Sequence, residues 1–462
     1  MKKPNILFIM TDQQRWDAMG CSGGWVQTPN LDRIADEGLR FTNCVTNAPL
    51  CIPARVCLAT GLYPHNTGIW DNIPYNMPAT TPTWMQAIRA AGYRTSLFGK
   101  THLHKGRDLR DGIDLVHAYG LDDVDEITGP RGSMRVRSNM TDRWDHLGLW
   151  KAYNEDYRER FSQKPHLVRP SALPLEHYAD VYVGQQAKAY LSAYDRPEPW
   201  FCWVSFGGPH EPWDAPEPYA SMYEPRNMPA PVPRPAKQPG RPQGLLDAKM
   251  DHPSTLTPND VAALRANYAG NVTLIDDQIG SLLETIDARG ELDQTVIAFV
   301  SDHGEMNGDY GLLYKGHFLN GAVRVPLLLR TPDTAASPLA GTVSDCPVEW
   351  FDVGPTLVDL ADGELEHVHF AKSLRPLLYD PQHEHRSYAI SELLGEIMYL
   401  DRKWKMSLND QGIPYLLFDL ENDVQETNNL AGRRDVVDLE TELRLKILEH
   451  LVQTQIQLES SR

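Results

Sequence analysis

Cysteine is scarce in this chain: six residues among 462 (Cys21, Cys44, Cys51, Cys57, Cys202 and Cys346), irregularly spaced and without a Cys-x-x-Cys pair. That excludes a disulfide framework and a cysteine zinc site, and it fits a reducing, cytoplasmic compartment. Positive charge is also in deficit, with 44 Lys and Arg against 62 Asp and Glu and a formal net charge of −18. Nucleic acid and anionic membrane surfaces are poor partners for such a chain, because both need a basic face. An anionic substrate must then be drawn by positive charge gathered locally. Long apolar runs are missing too: Ile6 to Met10 passes straight into Asp12, Gln13, Gln14 and Arg15. This run is too short for a signal-peptide core, and no run approaches the roughly 20 residues of a membrane span, so a soluble protein is expected.

What is present reads as an ordinary globular chain, too long for a single hydrophobic core. Residues 1–370 are expected to form one large domain and 371–462 a small carboxyl-terminal one. Near-continuous apolar runs at Asn5–Thr11, Tyr93–Phe98, Trp200–Phe206 and Thr295–Val300 read as strands of a parallel sheet buried on both faces. Leu39–Val45 and Val323–Leu329 are expected as further extended segments. Helices are expected after Thr28-Pro29, over Thr83–Ala91 and Tyr178–Tyr194, and from Thr257-Pro258 to about Ala288. Residues 105–175 form a polar, aperiodic insertion on the face of the site, and 209–242 a proline-rich ordered loop. Beyond Phe370, Ser387–Leu394, Ile397–Leu408 and Pro414–Leu420 read as short antiparallel strands. A last helix, Val436–Leu451, carries Leu439, Leu443, Ile447 and Leu451 on one face. The class is α/β, a mostly parallel sheet flanked by helices, with a small α+β unit at the end.

In such sheets ligands bind beyond the carboxyl ends of the strands. Four strands release polar residues there: Asp12; Lys100 and His102; His210; Asp302 and His303. Asp12, Asp302 and His303 suit a divalent cation, while Arg55, Lys100, His102, His210 and Lys315 supply positive charge and protons around an anionic ester. Pro53 fits the first turn of a short helix closed by Gly61, which puts Cys51 at the N-cap, where a helix start favours an anion. Arg55, one turn in, offers its fork to an oxyanion. Trp70, Trp144, Trp150 and Trp213 are read either as a platform or cage for the alcohol or as loop packing.

Cys51, Pro53 and Arg55 match the C-x-P-x-R signature of the type I sulfatases, and further motifs extend the likeness over most of the chain. These are Pro4 to Asp12, Gly99-Lys100-Thr101-His102, Pro209-His210-Glu211-Pro212, Ser301-Asp302-His303-Gly304 and Leu417-Phe418-Asp419-Leu420. The resemblance implies an alkaline-phosphatase-like fold and a formylglycine made from Cys51 by a formylglycine-generating or maturase enzyme. It further implies one divalent metal, Ca²⁺ or alternatively Mn²⁺, on Asp12, Gln13, Cys51, Asp302 and His303. Gln13 stands where many sulfatases have aspartate, and His303 where many have asparagine, a pattern resembling the choline-sulfatase and phosphonate monoester hydrolase branches. Asn72 matches a substrate-contacting asparagine of the latter branch, whereas His102 is the sulfatase residue at its place.

The function implied is a sulfuric ester hydrolase. A metal-bound formylglycine hydrate attacks sulfur, a covalent sulfated hemiacetal forms, and His102 drives its collapse. Arg55 and Lys100 hold the nucleophile, and Lys315 and His210 bind sulfate and assist the leaving oxygen. The alternatives are a phosphonate or phosphate mono- or diester hydrolase using the same site, and a non-catalytic oxyanion-binding protein. The alcohol is not legible, and homo-oligomerisation stays open.

Overall fold

The computed structural model describes residues 3–163, 167–234, 240 and 256–456. Part of the proline-rich loop, 235–239 and 241–242, therefore lies outside the described residues. The strands, in chain order, are β1 Asn5–Thr11, β2 Leu39–Phe41, β3 Cys44–Val45, β4 Arg94–Gly99, β5 Asp123–Glu126, β6 Trp200–Ser205 and β7 Thr295–Ser301. They continue with β8 Leu327–Arg330, β9 Thr342–Ser344, β10 Val348–Glu349, β11 Ala389–Leu393, β12 Glu396–Leu400, β13 Trp404–Leu408 and β14 Pro414–Asp419. An eight-stranded sheet runs β5-β4-β6-β1-β7-β8-β2-β9, β3 pairs with β10, and β11 to β14 form an antiparallel meander. Within the large sheet β8 runs antiparallel to both β7 and β2, while the other pairings are parallel.

Period-two side-chain alternation splits β1 between two cores. Ile6, Phe8 and Met10 pack on one face with Phe201, Trp203 and the helices Cys51–Thr60, Trp84–Ala90 and Val353–Leu360. Leu7 and Ile9 pack on the other with Cys202, Val204 and the helices Pro29–Glu37, Ala179–Ala193 and Pro258–Ala288. Burying both faces is what makes these strands apolar throughout. Leu443 and Ile447 of the final helix, Val437–Gln453, join the first core together with Ile390 and Tyr399 of the meander. Leu439 and Leu451 are half-buried against it.

Three expectations are corrected. The aperiodic insertion carries regular elements among its described residues: β5 pairs with β4 as an edge of the large sheet, and Trp144, Tyr153 and Tyr157 of the helices Asn139–His146 and Leu149–Gln163 enter the second core. Val323–Leu329 is not one strand. Asn320–Val323 is a helical turn, and β8 begins only after Pro326, whose missing N–H suits the strand edge. Leu39–Val45 splits between two sheets as β2 and β3.

Candidate active site and metal centre

Backbone hydrogen bonds lace the strand ends together: Phe206 N–H to Met10 O at 2.8 Å, Lys100 N–H to Ser205 O at 2.9 Å, and Asp302 N–H to Thr11 O at 3.3 Å. Gly99 makes this approach possible. Its φ is +114°, and a Cβ there would stand 1.9 Å from Ser205 O. Asp12, Lys100 and Asp302 are thereby delivered to one point, and the helix Cys51–Thr60 supplies Cys51 and Arg55 to it.

Cys51 is the first helical residue and not the cap. Leu50 holds the extended N-cap conformation, and its carbonyl accepts the first helical bond from Ala54 at 2.9 Å. Gly61 closes the helix in the left-handed region, as the sequence implies. Asn72 reaches in from outside, its Oδ1 accepting from Ile52 N–H at 2.8 Å, so it satisfies one of the free donors of the helix start.

Cys51 Sγ lies 3.0 Å from His303 Nε2 and 3.8 Å from Asp12 Oδ1. His303 Nε2 is 3.7 Å from Asp12 Oδ1 and 3.6 Å from Asp302 Oδ1. One ligand-type atom from each of Asp12, Cys51, Asp302 and His303 falls within a mutual 4.8 Å, and all four residues are buried. Two carboxylates, an imidazole and a thiol facing one point out of solvent fit a divalent cation.

Arg55 sets this arrangement. Its Nε donates to Asp302 Oδ2 at 2.8 Å, and one terminal nitrogen to Asp12 Oδ2 at 3.1 Å. The other donates to the Lys100 carbonyl at 2.6 Å. Lys100 Nζ also donates to Asp12 Oδ2, at 2.5 Å. Each aspartate thus commits Oδ2 to a cation and turns Oδ1 to the common point. The expected fork toward an oxyanion is not what the guanidinium does, because the two ligand carboxylates claim it first. Asp12 is held well below the carboxylate range: burial and Cys51 push it up, but Lys100, His210 and Arg55 outweigh them. Burial also opposes a Cys51 thiolate, yet Lys100, Lys315, His303 and a hydrogen bond with His102 bring the thiol well below its ordinary range. Negative charge is stabilised at that atom.

Gln13, beside Asp12, has its side-chain amide engaged by Lys315, Glu211 and Glu305. Its φ is 71°, its Oε1 accepts from Lys315 Nζ, and its Nε2 donates to Glu305 and, at 2.8 Å, to Glu211. Its backbone N–H also reaches the centre, donating to Asp302 Oδ1 at 3.1 Å. Lys315 completes a second group. His210 Nδ1 donates to the Glu211 carbonyl at 2.8 Å, which leaves Nε2 to accept from Lys315 Nζ at 3.0 Å. Burial opposes charge on His210, but Glu211 raises its basicity. The same carboxylate raises Lys315 against burial. Burial, then Lys100, lower His102, so its ring stays neutral beside Cys51.

These residues line a cleft of about 520 Å³ that contains Cys51, Asn72, Lys100, His102, His210 and Lys315. The tryptophans are elsewhere. Trp144 and Trp213 are buried, with the Trp144 indole donating to His177 O and Trp213 stacked on Tyr314. Trp150 donates to Ser133 O under Arg137, and neither it nor Trp70 lines the cleft. Glu211 and Glu305 join the site without a role assigned from the sequence. An acid placed between His210 and Pro212 was the visible signal for the first; Glu305 had none.

The Sulfatase profile matches residues 4–363, and the chain belongs to that family, within the alkaline-phosphatase-like superfamily. Among its relatives are an arylsulfatase of Clostridium perfringens, 29% identical over 97% of this chain and 94% of that protein, and a choline-sulfatase of Rhizobium meliloti, 30% identical over 93% and 82%. A solved phosphonate monoester hydrolase of Agrobacterium radiobacter superposes with a TM-score of 0.78 at 26% identity, covering 98% of this chain and 96% of that one. Among the described residues no helix is long and apolar enough to cross a membrane.

Proposed function

We propose that this protein hydrolyses sulfate monoesters with position 51 as its nucleophile, after oxidation of Cys51 to formylglycine by a formylglycine-generating or maturase enzyme. The observation that carries the reading is the placement of Cys51 Sγ. It sits between a ligand-type triad, Asp12, Asp302 and His303, and a cationic set, Lys100 and Lys315. A divalent cation at the triad, calcium for its oxygen donors or manganese for His303, would supply positive charge to gather the attacking oxygen and one ester oxygen.

The chain's own residues do the rest. Arg55 and Lys100 fix Asp12 and Asp302, so Arg55 is a positioning residue. Neutral His102 takes a proton from the position-51 side chain. Lys315 and His210, sharing one proton across 3.0 Å, hold a sulfate oxygen and protonate the departing alcohol. Gln13 and Glu211 hold that pair in place. Asn72, beside Cys51 at the cleft wall, contacts the substrate through its amide nitrogen. We take residues 1–370 as the catalytic unit and 371–462 as its carboxyl-terminal partner. The free thiols support a cytoplasmic setting.

Phosphonate or phosphate ester hydrolysis at the same site is the second reading, favoured by the Asp302-His303 pair and the likeness to the phosphonate monoester hydrolase. Rates on an aryl sulfate and an aryl phosphonate, measured on one preparation, decide between them. The sulfatase reading requires the larger kcat/KM on the sulfate.

A further inference from the structure

Beyond the reacting group, the cleft wall carries a concentration of positive charge that the mechanism does not use. Lys105, Arg131 and Arg135 line it, and none of the three has a carboxylate within 4.0 Å among the described residues. Arginines of the same insertion that serve structure are neutralised: Arg110 pairs with Asp108 and Asp142, and Arg137 with Asp142 and Asp145. Among the described lining residues the one carboxylate is Glu211, already engaged with His210, Gln13 and Lys315.

The two segments that bear these cations are joined and anchored. Arg137 N–H donates to Arg107 O at 2.8 Å and Leu109 N–H to Arg137 O at 3.0 Å. Gly129 lies against the Lys100 side chain, where a Cβ would come 3.2 Å from Nζ. Arg131 therefore follows two residues after a wall that touches the site. Charges held on an anchored rim beside a reaction centre act on the part of the substrate that leaves.

We propose that Lys105, Arg131 and Arg135 form a subsite for a second anionic group on the alcohol, so that the preferred substrates are sulfate esters whose alcohol bears a further carboxylate or sulfate. The proposal rests on the sulfatase reading. Its test compares phenyl sulfate with 4-carboxyphenyl sulfate, and a monosulfated with a disulfated hexose, in the wild type and in Arg131→Gln/Arg135→Gln and Lys105→Gln variants. The wild type should favour the doubly charged substrates in kcat/KM by about tenfold or more, mainly through KM, with the preference shrinking as salt rises. In the double variant that ratio should fall toward one. A wild-type ratio near one, or a ratio unchanged in the variants, overturns the subsite. Turnover of phenyl phosphonate esters but not of phenyl sulfates would sink the sulfatase reading instead, and the same charged-against-neutral comparison within phosphonates would still test the rim.

Discussion

Arg55 Nε donates to Asp302 Oδ2 at 2.8 Å with both side chains fully excluded from solvent. The same guanidinium reaches Asp12, so a single arginine fixes the separation of two ligand-type carboxylates. Arg55→Lys keeps the charge and loses the planar bridge, because one ammonium cannot hold both aspartates at that spacing. The variant should fold and need about 10- to 100-fold more calcium or manganese for half-maximal activity. Metal titration of chelator-treated enzyme checks this, and an unchanged titration would refute the positioning role.

Gln13 follows Asp12 directly in the chain. Its amide spans Lys315 and the two carboxylates Glu211 and Glu305. Gln13→Ala should therefore lower kcat, by releasing Lys315, while leaving the apparent metal affinity within about threefold, since an outer partner only tunes the site. A large loss of metal affinity would place Gln13 in the ligand set.

His210 faces the cleft with its Nε2 on Lys315. If the pair protonates the departing oxygen, loss of the imidazole matters most when the alcohol is a poor leaving group. His210→Ala should lose about 10²–10⁴-fold on an alkyl sulfate and clearly less on a nitrophenyl sulfate. Equal losses on both would remove His210 from leaving-group assistance.

Asp214 anchors the loop that follows His210, accepting from Tyr178 Oη at 3.0 Å and Ser171 Oγ at 3.3 Å. Burial, opposed by Arg160, pushes its carboxyl from 3.8 up to about 7. The folded state therefore keeps this proton up to about pH 7, while the unfolded chain releases it near pH 4. Because the folded state binds the extra proton, stability from this group falls as pH rises through that window. Asp214→Asn should flatten the fall of Tm between pH 4 and 7; an identical slope in both proteins would contradict it.

Much of this architecture is visible in the residues, and the exceptions have physical causes. Strands β1, β6 and β7 are buried on both faces, so each reads as an unbroken apolar run whose end marks the site. Strand β5 is Asp-Val-Asp-Glu, an edge strand whose acids answer Arg94, His104 and Tyr182 and erase any apolar signal. Strand-end logic brings Asp12, Asp302 and His303 together correctly. One residue later, at Gln13, a left-handed backbone breaks the alternation that sets side-chain direction, so the amide's partners Lys315, Glu211 and Glu305 are not legible. Arg55 is legible as a cation beside Cys51, but its partners are not, since both aspartates arrive from distant strands.

The central claim is that position 51 is the nucleophile of a sulfate ester hydrolase, and one measurement bears on it directly. The peptide spanning residue 51 is weighed from preparations of graded specific activity on an aryl sulfate. Conversion of Cys51 to formylglycine replaces sulfur by a lighter oxygen and removes two hydrogens, so the converted fraction can be read by mass. The account predicts that specific activity rises in proportion to that fraction and vanishes in Cys51→Ala, with the fold retained. Full activity in protein whose position 51 is entirely unmodified cysteine would contradict it.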